Sequence, residues 1–144
     1  MAGTRTLAII KPDAVASGKA GAILAHLQRE GFTARAARLV RMSTAQAGAF
    51  YEVHRGRPFY DELVSFMTSG PCFPIALERA DAVAHYRTVI GATDPADAAD
   101  GTIRKLYAES KGRNAVHGSD SDENAAREIA FFFTESELAD LTAT

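Results

Sequence analysis

The feature that most constrains this fold is the alternation of short apolar runs with amphipathic stretches along 144 residues. Strand-like patterns occupy 7–10, 32–42 and 73–77, and apolar residues recur at helical spacing in 20–30, 43–51, 58–67, 81–90 and 122–133. Alternating elements of this kind predict one sheet covered by helices, an α/β or α+β sandwich. No repeat or linker divides the chain, so we expect a single domain over residues 1–144.

Several element boundaries carry local signals. The apolar strand at 7–10 stops at Lys11, in a Lys-Pro-Asp sequence that predicts a polar loop at the end of the strand. Ser43 and Gln46 have the form of a capping box and open a helix. Pro74 has no backbone N–H to donate, so its strand is expected either to lie at the sheet edge or to begin near this residue.

The last third of the chain contains a long loop and a capped helix. Residues 91–101 form an acidic loop of the kind that often carries function in a compact domain, and a short helix is expected after it. Asp120 and Glu123 resemble a capping box for the helix that starts just after Ser121. His117 is therefore predicted just before a helix N-terminus.

Charge and cysteine content exclude several classes of protein. The 16 basic and 18 acidic residues leave a formal net charge of -2, so neither nucleic acid nor a membrane surface is expected as the main partner. The single cysteine, Cys72, cannot form an intrachain disulfide and is expected in the core of a protein from a reducing compartment. No apolar stretch approaches the roughly 18 residues of a membrane span. A cytoplasmic location is expected.

Any phosphate site in this chain must be built from side chains. Neither G-x-x-x-x-G-K-[ST] nor a G-x-G-x-x-G that follows a strand occurs in the sequence. The candidates are Lys11, Arg87 and Arg104, because lysine offers a compact charge and arginine a fork of donors that matches phosphate oxygens. Taken singly, each is a weak indication, since most lysines and arginines are solvated surface groups.

The segment 114–121 crowds a histidine, a glycine and hydroxyl groups together before a helix, a place that favours anions. A neutral imidazole is a good nucleophile near pH 7, and Gly118 leaves space beside His117 for a phosphoryl group. Glu128, on the following helix, and Ser119 are candidates to orient the ring. On the residues alone the plainer interpretation is favoured: the segment caps a helix and His117 is a structural polar residue.

The same segment, Asn-Ala-Val-His-Gly-Ser-Asp-Ser, resembles the N-x-x-H-G-S-D signature of nucleoside diphosphate kinases. This signature is highly specific. The resemblance extends from residue 4 to residue 133. With it, a catalytic role for His117 is favoured over the structural interpretation. Further matches in the family's order and spacing are Lys11-Pro12-Asp13, Tyr51-x-x-His54, Arg57-Pro58-Phe59, 67–71, 91–95 and 101–104.

The resemblance implies a fold and a reaction. The family has a ferredoxin-like βαββαβ core, in which helices cover a four-stranded antiparallel sheet. Its members transfer the γ-phosphoryl group of a nucleoside triphosphate, typically ATP but also GTP and others, to a nucleoside diphosphate by a ping-pong mechanism, and so maintain NTP and dNTP pools. His117 would carry the phosphoryl group as a pros-phosphohistidine between the two half-reactions.

The resemblance also implies the residues of the site. Glu128 and Ser119 would orient His117. Phe59 would stack on the base and Leu63 would line the same slot; stacking tolerates every base because each has a π-face. No carboxylate cage is apparent, so the expected cofactor, Mg²⁺, would be held mainly by nucleotide phosphates and water. The residues implied around the phosphates and the sugar are Lys11, Tyr51, Arg87, Thr93, Arg104 and Asn114.

Three positions depart from the commoner family pattern. Lys111 stands where many members have an apolar residue against the other face of the base, and its aliphatic stem would substitute there. Asn124 and Gly56 replace residues outside the set needed for transfer. The histidines that match no transfer role, and are expected to be structural or on the surface, are His26, His54 and His85.

Two alternatives remain open at the level of the sequence. A regulatory protein could keep this fold and bind nucleotides without turnover, but the intact set around His117 argues against it. A phosphocarrier that receives phosphate from a protein donor is the second alternative, and Phe59, Thr93 and Arg104 at nucleotide-site spacing argue against that. Family members assemble as dimers, tetramers or hexamers; we expect a homo-oligomer, with a tetramer or hexamer favoured over a dimer.

Overall fold

The structure of the chain is a computed structural model that describes residues 3–138. The ends of the predicted domain, 1–2 and 139–144, lie outside the described residues. The strands are β1 (Arg5–Ile10), β2 (Thr33–Ala37), β3 (Phe73–Glu78) and β4 (Val116–Gly118). The helices are α1 (Pro12–Ala16), α2 (Ala20–Arg29), α3 (Thr44–Phe50), α4 (Tyr60–Met67), α5 (Ala82–Ile90), α6 (Ile103–Tyr107) and α7 (Asp122–Phe132), with a 3₁₀ turn at Glu52–His54. Within 3–138, no helix is long and apolar enough to cross a membrane.

The four strands form one antiparallel sheet in the order β2-β3-β1-β4. β1 is paired on both sides, with Leu7 opposite Ala76 of β3 and Ile9 opposite His117 of β4. With α2 and α5 as the connecting helices, the core has the order βαββαβ, and α3 and α4 lie in the connection between β2 and β3. The predicted fold is confirmed.

Helices cover both faces of the sheet. Ala8 and Ile10 of β1 belong to an apolar cluster with α2 and α5, whereas Leu7 and Ile9 belong to a second cluster with α3, α4 and α7. These residues are completely buried, which explains why β1 is apolar at successive positions and not only at every second one. Cys72 lies in the second cluster, as predicted.

Strand β2 is shorter than its sequence pattern predicts. It ends at Ala37 and does not continue to residue 42. The register against β3 shifts between Ala34 and Ala36. A shift of this kind bends the strand and interrupts the ladder locally. Beyond the strand, the N–H of Arg38 donates to the carbonyl of Pro74, and an isolated bridge joins Val40 to Cys72.

The structure corrects one expectation for each of two prolines. β3 is an inner strand of the sheet, so the edge position considered for Pro74 is wrong; the residue lies near the start of β3, which was the other expectation. Pro58 precedes α4, which begins at Tyr60, and does not occupy the first turn of the helix.

Two short elements near the predicted site, one helix and one strand, were not predicted from the sequence. The expected polar loop after β1 is the helix α1, which begins at Pro12, a residue suited to a first turn because it has no N–H to leave unpaired. β4 is three residues long and contains His117, which therefore lies on a strand that was not predicted, four residues before the N-cap of α7 at Ser121. Helix α7 starts after Ser121, as predicted, but its cap is Ser121, whose hydroxyl accepts from the N–H of Asn124, and not Asp120.

Candidate active site

A cleft of about 520 Å³ opens where β1 and β4 meet the helices. Its walls come from β4, α3, α4, α5, α6, α7 and the loops between them. Ser119 lies behind the wall and is completely buried. The cleft thus brings together residues that are far apart in the sequence. The predicted site residues that line it are Lys11, Tyr51, Phe59, Leu63, Arg87, Thr93, Arg104, Asn114, His117 and Glu128.

His117 faces this cleft from the outer strand of the sheet, β4. Its ring packs edge-on against Phe50 and Tyr51, at centroid distances of 5.6 and 6.4 Å. Its Nε2 lies 2.8 Å from Oε1 of Glu128, and because a carboxylate only accepts, Nε2 carries the proton and Nδ1 is left as the basic nitrogen. Burial, partly offset by Glu128, lowers the pKa of His117, so the ring is neutral at pH 7.

Hydrogen bonds from buried residues fix the position of Glu128. The hydroxyl of Ser119 donates to the same Oε1 at 2.9 Å, and the N–H of Leu7 donates to the Ser119 oxygen at 3.2 Å. Arg127 lies 3.7 Å from the second carboxylate oxygen of Glu128. This chain of hydrogen bonds ties the carboxylate to β1, so the sheet fixes the direction in which the imidazole points.

The residue after His117 must be small. A Cβ on Gly118 would lie 2.6 Å from Cε2 of Tyr86, whose side chain is completely buried. The hydroxyl of Tyr86 donates to the carbonyl of His117 at 2.8 Å. Gly118 therefore allows α5 to approach β4 closely, a packing reason that adds to the space for a phosphoryl group expected from the sequence.

Lys11 follows β1 into the cleft. Its ammonium donates to Oδ1 of Asn114 at 2.8 Å. Burial, together with the positive charge of Arg104, lowers the pKa of Lys11 to about 8. The lysine is therefore charged at pH 7 but loses its charge at a lower pH than an exposed lysine does.

Arg104 is fixed by backbone carbonyls. Its guanidinium donates to the carbonyls of Gly91, Asn114 and Val116, at 3.1, 3.3 and 2.8 Å respectively. Burial lowers the pKa of Arg104, which nevertheless stays charged because a guanidinium is not deprotonated in proteins. The cleft therefore has a positive charge that does not need to be oriented when an anion enters.

The cleft residues contributed by α5 and the loop after it are Arg87 and Thr93.

A second hollow, of about 350 Å³, adjoins the cleft. The two share Lys11, Phe59, Leu63 and Asn114, so they form one continuous groove. Phe59 is 45% exposed, so its ring is accessible from the groove. Lys111 also lines this hollow, as the resemblance implied for the far side of the base slot.

Several residues that line the cleft were not predicted as site residues from the sequence. Asn124, expected outside the transfer set, lines the cleft and donates to Oδ1 of Asp120 at 2.6 Å. The spacing of these two residues and the position of Arg127 beside Glu128 are the only hints in the sequence. Of the other histidines, His54 lines the cleft, with its ring 5.2 Å from that of Phe59. The two that lie on helices, as expected, are His26 and His85.

Comparison with known proteins agrees with this geometry. The profile of the family described as "Nucleoside diphosphate kinase" matches residues 4–138. The nucleoside diphosphate kinase of Sorangium cellulosum is 60% identical over 139 residues, which is 96% of each chain. That of Chlorobium luteolum is 59% identical over 134 residues, or 93% of this chain and 96% of the relative.

Solved structures give the same result. The chain superposes on the Aquifex aeolicus nucleoside diphosphate kinase with a TM-score of 0.92 and 45% identity, over 94% of this chain and 99% of the other. A halophilic nucleoside diphosphate kinase from Halobacterium salinarum, in complex with CDP, gives a TM-score of 0.90 and 42% identity, over 96% and 93% of the two chains. The fold, the cleft and these likenesses agree, and the chain belongs to the nucleoside diphosphate kinase family.

Proposed function

We propose that His117 carries the phosphoryl group when this phosphotransferase passes it from a nucleoside triphosphate to a nucleoside diphosphate. The observation that carries the proposal is the 2.8 Å contact between Nε2 of His117 and Glu128, which leaves Nδ1 as the basic nitrogen of a ring that lines the cleft. An imidazole held in this way is a nucleophile that needs no further base.

The transfer has two halves that mirror each other. The lone pair of Nδ1 attacks the γ-phosphorus of the donor, the bond from that phosphorus to the β–γ bridging oxygen breaks, and the nucleoside diphosphate leaves with the electron pair. A terminal phosphate oxygen of the acceptor diphosphate then attacks the same phosphorus, and its electron pair returns to Nδ1. The phosphohistidine is the only covalent intermediate, so one residue serves both halves.

The proposed phosphate ligands act through charge and position. Phosphoryl transfer has little need of acid–base groups, but it needs cations on the equatorial oxygens. Lys11, Arg87 and Arg104 supply the positive charge, and Tyr51 lies beside the ring of His117. The neutral donors at the same wall are Thr93 and Asn114.

The proposed Mg²⁺ comes with the nucleotide. Among residues 3–138, no group of three His, Cys, Asp or Glu side chains is arranged to hold a metal ion. The carboxylate of Glu128 is engaged by His117 and Ser119. This donor set fits a cation that is bound by phosphate oxygens and water, where it supplies charge neutralisation.

The continuous groove supports the proposed nucleotide substrates, ATP, GTP and their relatives. For a nucleotide whose γ-phosphate lies at His117, we place the base in the adjoining hollow, where Phe59 offers a ring face and Leu63 an apolar side chain. Lys111 completes this slot with its aliphatic stem. The CDP complex of the Halobacterium salinarum relative supports a nucleotide of this size.

The proposal predicts that the chain becomes labelled when it is incubated with γ-labelled ATP and magnesium. The label should be lost in acid and retained in alkali, as expected of a phosphoramidate, and peptide mapping should place it on His117. A chase with GDP should remove the label and recover it as GTP. A protein that never labels, or a label that GDP does not remove, contradicts the ping-pong mechanism.

The lowered pKa of Lys11 predicts an alkaline limit to activity. Because that pKa lies at about 8, the charge of Lys11 should be lost as the pH rises through this value, and kcat/KM, which reports the free enzyme, should fall. Lys11→Arg keeps a positive charge at every accessible pH, so its profile should lack this limb even if its plateau is lower. A wild-type profile that stays flat above pH 8 would contradict the prediction. An unchanged limb in the variant would assign the titration to another group.

We further propose a single-domain protein that acts in the cytoplasm as a homo-oligomer, with a tetramer or hexamer favoured over a dimer. The outer strand β2 and the side chain of Leu39, which is 61% exposed, offer surface that a second copy could cover. Sedimentation equilibrium at micromolar concentration measures the assembly, and a monomer would contradict this part of the proposal.

A further inference from the structure

The backbone immediately before β4 is strained at Ala115. This residue has φ of +75°, a conformation that side chains other than glycine rarely adopt, and it is completely buried. The N–H of Val116 donates to the carbonyl of Asn114 at 2.9 Å, across a single intervening residue. A hydrogen bond of this span around a residue with positive φ is the rare and strained form of the γ-turn.

This turn joins two proposed site residues. Asn114, immediately before it, accepts a hydrogen bond from the ammonium of Lys11 at 2.8 Å. His117 lies two residues after Ala115, on β4. A relaxation of the turn would redirect the chain on both sides, so the position of both side chains depends on the strained conformation.

Asp13 holds the turn from the first residues of α1. Its Oδ2 accepts from the N–H of Ala115 at 3.1 Å, and the carbonyl of Ala115 accepts from the N–H of Lys11 at 2.8 Å. The carboxylate is 5% exposed, and its other oxygen, Oδ1, has no hydrogen-bond partner among the described residues. The positive charges of Lys11 and Arg113 offset part of the cost of burying this carboxylate, but the unpaired oxygen still costs free energy of folding. Such a cost is expected where the position that the carboxylate fixes matters for function.

We infer that Asp13 is a positioning residue: its hydrogen bond to the N–H of Ala115 maintains the strained turn, and through the turn it places Asn114 and His117 for phosphoryl transfer. This inference rests on the proposed role of His117 as the phosphorylated residue. Asp13 does not line the cleft in which we propose that the nucleotide binds. Its hydrogen bond to Ala115 therefore acts through the backbone, whereas its negative charge separately favours the charged form of Lys11. Asp13→Ala and Asp13→Asn both remove this charge, but only Asp13→Asn keeps the hydrogen-bond acceptor.

The first test measures the rate constant for formation of the phosphohistidine in a single turnover with ATP. Asp13→Ala removes the acceptor, and the rate constant should fall on the order of 10²-fold, as expected when a nucleophile is displaced by about 1 Å. Asp13→Asn keeps an oxygen that can accept from Ala115 and should retain most of the rate. A merely stabilising role would lower the melting temperature of Asp13→Ala without changing the rate constant of the folded protein.

The second test relieves the strain instead of restoring the bond. Ala115→Gly removes the Cβ that makes a positive φ unfavourable. In the Asp13→Ala background this change should recover at least about tenfold of the lost rate, because the two residues act on one conformation. In the wild-type background the same change should leave the rate nearly unaltered.

The matched control is Asp122→Ala, which removes another carboxylate that accepts from a backbone N–H, that of Gly3 at 2.9 Å, outside the cleft. It should label at the wild-type rate. The inference is overturned if Asp13→Ala labels as fast as wild type, or if Asp13→Asn is as slow as Asp13→Ala and Ala115→Gly rescues neither. If Asp13→Ala does not fold, the double variant must fold and label, and its failure also overturns the inference. A wild-type protein without a label would instead contradict the role of His117.

Discussion

Replacing His117 with alanine should lower the turnover of phosphoryl transfer by at least about 10⁵-fold, because the variant has no nucleophile for the covalent intermediate. The affinity for nucleotides should change little, since Lys11, Arg104 and Phe59 remain in the groove. The measurements are steady-state rates with ATP and GDP and the calorimetric binding of ADP. Together they separate the loss of chemistry from a loss of binding.

The matched control for this experiment is His26→Ala. His26 lies on α2, outside the cleft, so its removal should leave turnover at the wild-type level. Thermal unfolding of both variants shows whether the fold is intact. A His117→Ala protein that is folded and still turns over within about 100-fold of wild type would mean that the phosphoryl group passes directly between nucleotides or through another residue.

The architecture was largely predictable from local patterns, and its exceptions have physical reasons. β1 can be recognised in the sequence because a strand buried on both faces is apolar at successive positions. β4 does not, because Val116 to Gly118 is too short for any alternation to show. The predicted cap of α7, Asp120, is one residue away from the actual cap, Ser121. Both residue types are good caps, and the backbone conformation decides between them.

The site was predictable only through the family signature. On its residues alone, His117 is more simply read as structural, and nothing in the sequence brings Lys11 beside Asn114. That contact arises from the pairing of β1 with β4, which sets Ile10 opposite Val116. The bond from Tyr86 to the backbone of His117 also has no signal in the sequence, because a tyrosine on the apolar face of a helix indicates only burial.

The hydrogen bond from His117 to Glu128 predicts a role for charge as well as for orientation. When Nδ1 bonds to phosphorus, the imidazole gains positive charge, and the carboxylate at 2.8 Å from Nε2 stabilises it. Glu128→Gln keeps an acceptor oxygen, and so keeps the tautomer, but removes the negative charge. The rate constant for phosphohistidine formation should therefore fall about 10²-fold, with little change in nucleotide affinity.

Ser119 provides the companion variant, because its hydroxyl contacts Glu128 and not the ring. Ser119→Ala should lower the same rate constant by less, about tenfold, since Glu128 keeps its bond to His117 but can rotate. It should also lower the free energy of unfolding by about 1–3 kcal/mol, because the buried N–H of Leu7 loses its acceptor. Single-turnover labelling and urea denaturation measure the two effects.

The double variant decides how the two residues are connected. If Ser119 acts only by holding Glu128, its removal matters less once the carboxylate charge is gone, and the combined loss in rate should be smaller than the product of the two single losses. If the losses multiply, Ser119 instead acts on the reaction independently of Glu128, for example through the backbone of β4. The first outcome shows that Ser119 and Glu128 act on the imidazole together. Their hydrogen bonds then connect Leu7, in the sheet, to the ring of His117.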